Sequence, residues 1–266
     1  MNNPRILLLA DINSVHTQKW ALGLSQQKIK IGIFSLNHSD SNWYQSSNFI
    51  TCLWQPKKKS SQSLFSKITY LFTLPIILIQ IIKFKPNIIH SHYASSYGFL
   101  GALTFFKPFI VSVWGSDVLS FPKTGRLQKL IIQFVFWRAK QICVTSNILK
   151  KEVQLYTNKT SKVIPFGIDL NQFYSTAIHQ HPHDFTFACI KHFEPIYNLD
   201  KVVLAFNLLK IKHPLLNFKL KLIGYGSEKQ KIIHLVDELH LNDCIEIINQ
   251  VEHDQVPFYL NQIDVF

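Results

Sequence analysis

Short runs of apolar, β-branched residues alternate along this chain with longer segments whose apolar positions recur every three or four residues. The short runs predict strands at 6–10, 30–35, 49–53, 87–90, 109–114, 141–144 and 163–165. The longer segments predict helices at 17–24, 64–83, 96–104, 127–139 and 148–156. This β/α alternation implies an α/β fold, a parallel sheet with helices on both faces. A polar stretch with His179, His181, Pro182 and His183 then reads as a linker over 171–183. Beyond it the pattern restarts, with strands at 185–190, 220–223, 244–248 and 263–266 and helices at 200–211, 228–239 and 256–261. The expected organisation is two Rossmann-like, doubly wound units in series. The first covers 1–170, and the second, 184–266, is incomplete because the sequence stops inside a strand.

Charge divides the same way. The 266 residues carry a formal +12. Residues 1–170 hold 20 Lys/Arg against 5 Asp/Glu, and residues 171–266 hold 8 against 11. A basic half joined to a slightly acidic one directs attention to an anionic partner for residues 1–170. No nucleic-acid-binding signature accompanies the charge, so nucleic acid is not expected. The run Lys57-Lys58-Lys59 and the uncharged stretch 68–82, which contains Pro75 and Gln80, point instead to an anionic membrane surface. That stretch is short of the ~20 apolar residues of a spanning helix. It reads as a core helix or as a partly lipid-facing one.

Composition closes other routes. Cys52, Cys143, Cys189 and Cys244 are scattered and never form CxxC, which argues against a zinc site or a disulfide scaffold and fits a reducing compartment. Residues 1–5 run straight into the first strand with no signal peptide ahead of it, so a cytoplasmic location is expected. The His cluster in the linker reads as solvated, and no metal is expected.

In open α/β sheets, ligands bind beyond the carboxyl ends of the strands. The loop after the first strand, from Asp11 to Trp20, contains no glycine, which removes the dinucleotide fingerprint and a nucleotide-binding oxidoreductase with it. The later loops are polar and run His90-Ser-His92-Tyr93, Trp114-Gly115-Ser116-Asp117 and Pro165-Phe166-Gly167-Ile168-Asp169. Sugars and phosphates suit such loops, and Gly115 and Gly167 would let backbone approach a ligand.

Taken in order, these segments resemble the family 4 glycosyltransferases of the GT-B fold. The resemblance begins with Asn13-Ser-Val-His16-Thr17-x-x-Trp20, Pro86-Asn-Ile-Ile-His90-Ser-His92-Tyr93 and Ser112-Val-Trp114-Gly115-Ser116-Asp117. It continues through Val163-Ile-Pro-Phe-Gly-Ile-Asp-Leu170, Phe193-Glu194-Pro195-Ile196-Tyr197-Asn198, Leu222-Ile-Gly224-Tyr225-Gly226 and Asp264-Val265-Phe266.

The resemblance implies retaining transfer of a sugar from a nucleotide-sugar, with no metal and no further cofactor. The first unit would hold the acceptor, a lipid-linked or surface-polysaccharide sugar, and the second the donor. The enzyme would sit peripherally at the inner face of the plasma membrane. Asp117 falls at an acidic position that orients or polarises the acceptor hydroxyl, with helix capping as its other reading. Many relatives carry His where this chain has Trp114; Trp114 would stack on a sugar, and His16 is either the relocated polar group or a structural histidine. His92 and Gly115 complete the acceptor side. On the donor side, Lys191 stands near the position of an Arg that stabilises the leaving diphosphate, and Gly224 and Gly226 form the next loop. Tyr197-Asn198 stands where many relatives have Lys-Gly, with Lys201 as a substitute cation or a solvated helix residue. The family places two donor-holding glutamates beyond the strand that opens at 263. Two expectations follow: a glycosyltransferase inactive without that segment, or a non-catalytic remnant that binds acceptor, membrane or a partner chain.

Overall fold

The computed structural model describes residues 3–57, 69–176, 184–252 and 254–266. The chain divides into two compact units, Met1–Phe166 and Gly167–Phe266. The linker histidines, Lys58, Lys59 and residues 64–68 of the expected second helix lie outside the described residues.

The first unit is built on seven parallel strands: β1 (Arg5–Leu9), β2 (Lys30–Phe34), β3 (Ile50–Trp54), β4 (Ile88–His92), β5 (Phe109–Val113), β6 (Gln141–Val144) and β7 (Ser161–Val163). Their order in the sheet is β3-β2-β1-β4-β5-β6-β7, so the winding reverses between β1 and β4. Alternation within β1 sends side chains to two cores. Leu7 and Leu9 join Ile77, Leu100, Ile132, Val135 and Phe136 on one face. Leu8 joins Ile12, Ala21, Ile31 and Ile33 on the other. Helix Val15–Gln26 therefore covers one face, and helices Leu74–Phe84, Tyr97–Leu103 and Arg126–Arg138 form a layer on the opposite one.

One element differs from the periodicity. The apolar segment expected as a single helix to residue 83 runs as a 3-10 turn, Tyr70–Thr73, and only then as the α-helix Leu74–Phe84. Pro75 explains the change: it lacks an N–H, fits the first helical turn and is disfavoured further in. The helix buries Ile77 and leaves Ile79 and Ile82 exposed, as is Phe72 in the turn before it. Among the described residues no helix is long and apolar enough to cross a membrane.

The second unit has three parallel strands, β8 (Asp184–Ile190), β9 (Asn217–Ile223) and β10 (Ile245–Ile248), in the order β10-β9-β8. On the free side of β8, Val265 forms a parallel bridge to Phe187, and its carbonyl accepts from the Ala188 N–H at 2.9 Å. Strand β9 starts three residues before the expected 220 because Phe218 is buried between exposed Asn217 and Lys219, a half-covered alternation that an all-apolar run does not signal. Helices Leu199–Lys212 and Lys229–Glu238 bury Val203, Phe206, Ile232 and Val236 against this sheet.

Candidate active site

In the first unit, the loops leaving β1, β4 and β5 converge at the carboxyl end of the sheet beside the winding reversal, the position where open α/β sheets bind ligands. Asp117 joins two of these loops. It is fully buried, and its carboxylate accepts from the N–H groups of Ala94 (2.8 Å), Trp114 (3.2 Å) and Gly115 (2.8 Å). Burial pushes its acid up while those N–H bonds pull it down. Gly115, at φ 147°, is the N-cap of the short helix Ser116–Leu119; Asp117 in the first turn reaches back to its N–H and at the same time ties the loop to Ala94. Tyr93, with a φ of 77° that is costly for an aromatic residue, is held by its N–H on the Ser112 carbonyl (2.9 Å) and its hydroxyl on Ser116.

Around that tie lies a cluster of neutral rings. His90 Nε2 meets Ser112 Oγ at 2.8 Å, and His92 Nδ1 meets Thr17 Oγ1 at 3.4 Å. Burial lowers the His90 imidazole to about 4. Burial also holds His92 well below its usual value, with His90 and His16 adding to the effect. His16 is lowered by burial and by Lys19. It stacks on Phe166 with ring centroids 3.5 Å apart and meets Trp114 edge-on at 5.5 Å. Trp114 in turn lies 4.9 Å from His92. Two imidazole nitrogens in this cluster, His16 Nδ1 and His92 Nε2, are buried without a hydrogen-bond partner. The loops thus bring His16, His92, Trp114, Gly115 and Asp117 together. His90, Thr17, Trp20 and Phe166 belong to the same cluster; they stand within the motif segments, but only their spatial neighbours distinguish them.

In the second unit, a cavity of about 290 Å³ opens at the carboxyl ends of β8, β9 and β10, lined by Lys191, His192, Tyr197, Gly224, Tyr225 and Gln250, among others. The Lys191 ammonium lies 5.6 Å from the centre of the Tyr197 ring. Gly224 has φ 155°, and a Cβ there would stand 1.9 Å from the Lys191 carbonyl oxygen. At Gly226 a Cβ would stand 2.4 Å from the Phe193 carbonyl oxygen. Both positions require glycine because β8 and β9 exit loops run backbone against backbone, joined by the Phe193 N–H on the Tyr225 carbonyl at 2.7 Å. Asn198 adopts the left-handed conformation (φ 49°, ψ 45°), which explains why Asn serves at a position where relatives use Gly. Lys201 is exposed on the following helix and does not line the cavity. Sequence reasoning did not single out Glu194, whose carboxylate accepts from the Ser227 N–H (3.1 Å) and hydroxyl (2.8 Å) and braces the glycine loop. Among the described residues no three His, Cys, Asp or Glu side chains gather as a metal ligand set.

A doubly wound parallel sheet with polar carboxyl-end loops, followed by a second parallel unit with a glycine-lined cavity, is the architecture of the GT-B fold. The glycosyl transferase 4-like family matches residues 5–146, and the glycosyl transferases group 1 family matches residues 175–266. The chain belongs to the glycosyl transferase 4-like family and is a glycosyltransferase. No curated protein matches it. Among solved structures it is similar to sucrose-phosphate synthase from Thermosynechococcus elongatus, at 14% identity and a TM-score of 0.70, over 98% of this chain and 74% of that one. It is similar to a glycosyltransferase from Rickettsia africae at 16% identity and 0.68, over 99% and 72%. It is also similar to the UDP-GlcNAc 2-epimerase from Neisseria meningitidis at 14% and 0.58, over 97% and 75%. At these identities the likenesses establish the fold, which transferases and epimerases share; the family matches select sugar transfer.

Proposed function

We propose that the chain transfers a sugar from a nucleotide-sugar to a lipid-linked or surface-polysaccharide acceptor, with retention of anomeric configuration, while associated peripherally with an anionic membrane on the cytoplasmic side. The observation that carries the acceptor assignment is the pair of unpaired nitrogens, His16 Nδ1 and His92 Nε2, on two rings that both contact Trp114. Leaving a buried polar group unpaired costs about 1–3 kcal/mol, so a partner at this site, such as a sugar hydroxyl, offsets a standing cost. An exposed sugar face suits the Trp114 ring. Asp117 acts here as a positioning residue, since its carboxylate is committed to backbone N–H groups.

In the reaction, the bond from the anomeric carbon to the diphosphate oxygen breaks, and the acceptor hydroxyl oxygen takes its place on the same face. The diphosphate leaves with the bonding electron pair, and the acceptor's proton ends on it. Charge grows on the diphosphate, and Lys191 is the cation best placed in the second unit's cavity to meet it. No cofactor beyond the nucleotide-sugar enters this scheme. Retention is carried over from the motif resemblance, and the membrane association is supported by the basic first half and by the exposed Phe72, Ile79 and Ile82.

Incubation with a panel of nucleotide-sugars and polyprenyl-diphosphate-linked acceptors, with product configuration read by NMR, tests the assignment. Any product formed is expected to retain configuration; an inverted one would overturn retention. Lys191→Met should raise KM for the donor about tenfold with an unchanged melting temperature. An unchanged KM would remove Lys191 from the donor site.

A further inference from the structure

In a parallel sheet every strand begins on the same rim, opposite the carboxyl-end loops. Six of the seven strands of the first unit start at, or within three residues after, a cation: Arg5, Lys30, Lys85, Lys107, Lys140 and Lys159. Part of this is helix capping. The Lys159 ammonium donates to the carbonyls of Trp137 and Ala139 at 2.6 and 2.7 Å, closing the end of helix Arg126–Arg138. Beside it, however, opens a cavity of about 540 Å³ lined by Lys107, Trp137, Arg138, Lys140 and Lys159, with no carboxylate in its wall. The Arg138 guanidinium packs 4.6 Å from the centre of the Phe105 ring and donates through Nε to the Ala102 carbonyl at 3.3 Å. Its Nη2 is buried without a partner. Four cations around one concavity, two of them the exposed Lys107 and Lys140, form a receptor for a phosphate group.

What surrounds the cavity selects the source of that phosphate. Leu127, Leu130, Phe134 and Trp137 recur at spacings of three, four and three residues, so they share one face of helix Arg126–Arg138. Phe134 packs against the core at the edge of that face, while Leu127, Leu130 and Trp137 are each more than 60% exposed, as is Phe105 beside them. A free phosphate has no use for an apolar stripe, whereas a lipid bilayer offers a headgroup phosphate and an apolar layer together.

We propose that the Lys107–Arg138–Lys140–Lys159 pocket binds the headgroup phosphate of an anionic phospholipid, while Leu127, Leu130 and Trp137 enter the boundary between headgroups and acyl chains. This inference rests on the membrane association proposed above and assigns it to one rim and one helix.

The test is co-sedimentation of the full chain with phosphatidylcholine vesicles, with and without phosphatidylglycerol. Wild-type protein should bind the anionic vesicles and not the neutral ones. A double substitution of the exposed Lys107→Gln and Lys140→Gln should weaken binding about 25-fold, at about fivefold per cation. Lys210→Gln with Lys212→Gln removes the same charge from helix Leu199–Lys212 of the second unit and should change binding less than about twofold. Leu127→Ala with Leu130→Ala, which do not line the cavity, should weaken vesicle binding while leaving binding of inorganic phosphate as it was. If wild-type protein ignores anionic vesicles, the membrane association fails and this site with it. If it binds them and the Lys107/Lys140 variant binds equally well, the pocket is refuted and the membrane association stands. If inorganic phosphate binds while Leu127→Ala with Leu130→Ala leaves vesicle binding untouched, the pocket serves a soluble anion and the proposal is overturned.

Discussion

The two units present opposite solutions to the same task of holding a ligand at the carboxyl end of a parallel sheet. In the first, side chains do the shaping. Neutral histidines, Trp114 and the Asp117 tie fill the space between loops, and the cluster carries almost no net charge. In the second, backbone does the shaping: Gly224 and Gly226 let two loops run in contact, and the polar content reduces to Lys191, His192 and a few neighbours around an open cavity. A neutral, packed surface suits discrimination among uncharged sugars. An open cavity with a cation suits a diphosphate, whose position is fixed by charge and by backbone approach.

The sharpest way to break this contrast is to add a methyl group where only backbone fits. Gly224→Ala should destabilise the second unit by about 4 kcal/mol, because the new Cβ would overlap the Lys191 carbonyl and the φ of 155° disfavours any side chain. Thermal unfolding followed by calorimetry should show the loss in one transition only. A native melting profile would mean that the loop adjusts freely and that glycine is not what shapes this cavity.

The next test addresses neutrality in the first unit. Burial lowers His90 from 6.5 to about 4 and holds His92 well down, so the folded unit resists protons that the unfolded chain accepts. Stability from these groups is fully present above pH 6.5 and is lost as pH falls towards 4. For His90 alone the loss approaches about 3 kcal/mol at the lower end of that window. Denaturant unfolding between pH 7 and pH 4 checks it, and His90→Asn should flatten the slope. An unchanged slope would assign the acid sensitivity elsewhere.

Smaller again is the effect of Asp117→Asn, at about 2 kcal/mol, since the amide turns an N–H donor towards backbone donors that now face a carboxylate. The melting temperature and the acceptor KM should shift together. Native stability with turnover abolished would instead put Asp117 in contact with the reacting hydroxyl.

Much of the architecture was readable from spacing, because parallel strands buried on both faces are short apolar runs and their crossover helices repeat every three to four residues. Helix 127–139 and strand 141–144 needed no more than that. Strand β9 was read short because Asn217 and Lys219 face solvent, and the helix before β4 was read long because Pro75 suits a helix start as well as it breaks an interior. The site was legible as an ordered set of polar loops, but its internal logic was not. The bond from Ala94 to Asp117 spans 23 residues, and that between Thr17 and His92 spans 75. No local pattern distinguishes a carboxylate that ties loops from one that meets a substrate. The same holds for Glu194 and Ser227, 33 residues apart. The cations that precede six strands were visible as charge, yet only the shared direction of the strands collects them on one rim.

That shared direction also sets a distance. Strand β5 runs five residues from the basic rim to the loop that carries Trp114 and Asp117. At about 3.3 Å per residue, this is a rigid spacer of about 17 Å. With the amino-terminal rim on the bilayer, the sheet becomes a ruler that holds the acceptor loops one strand length above the headgroups. A hydroxyl lying at the membrane surface falls short of them, and a sugar raised on a diphosphate and a few earlier residues reaches. The enzyme would then choose its acceptor by height as well as by shape.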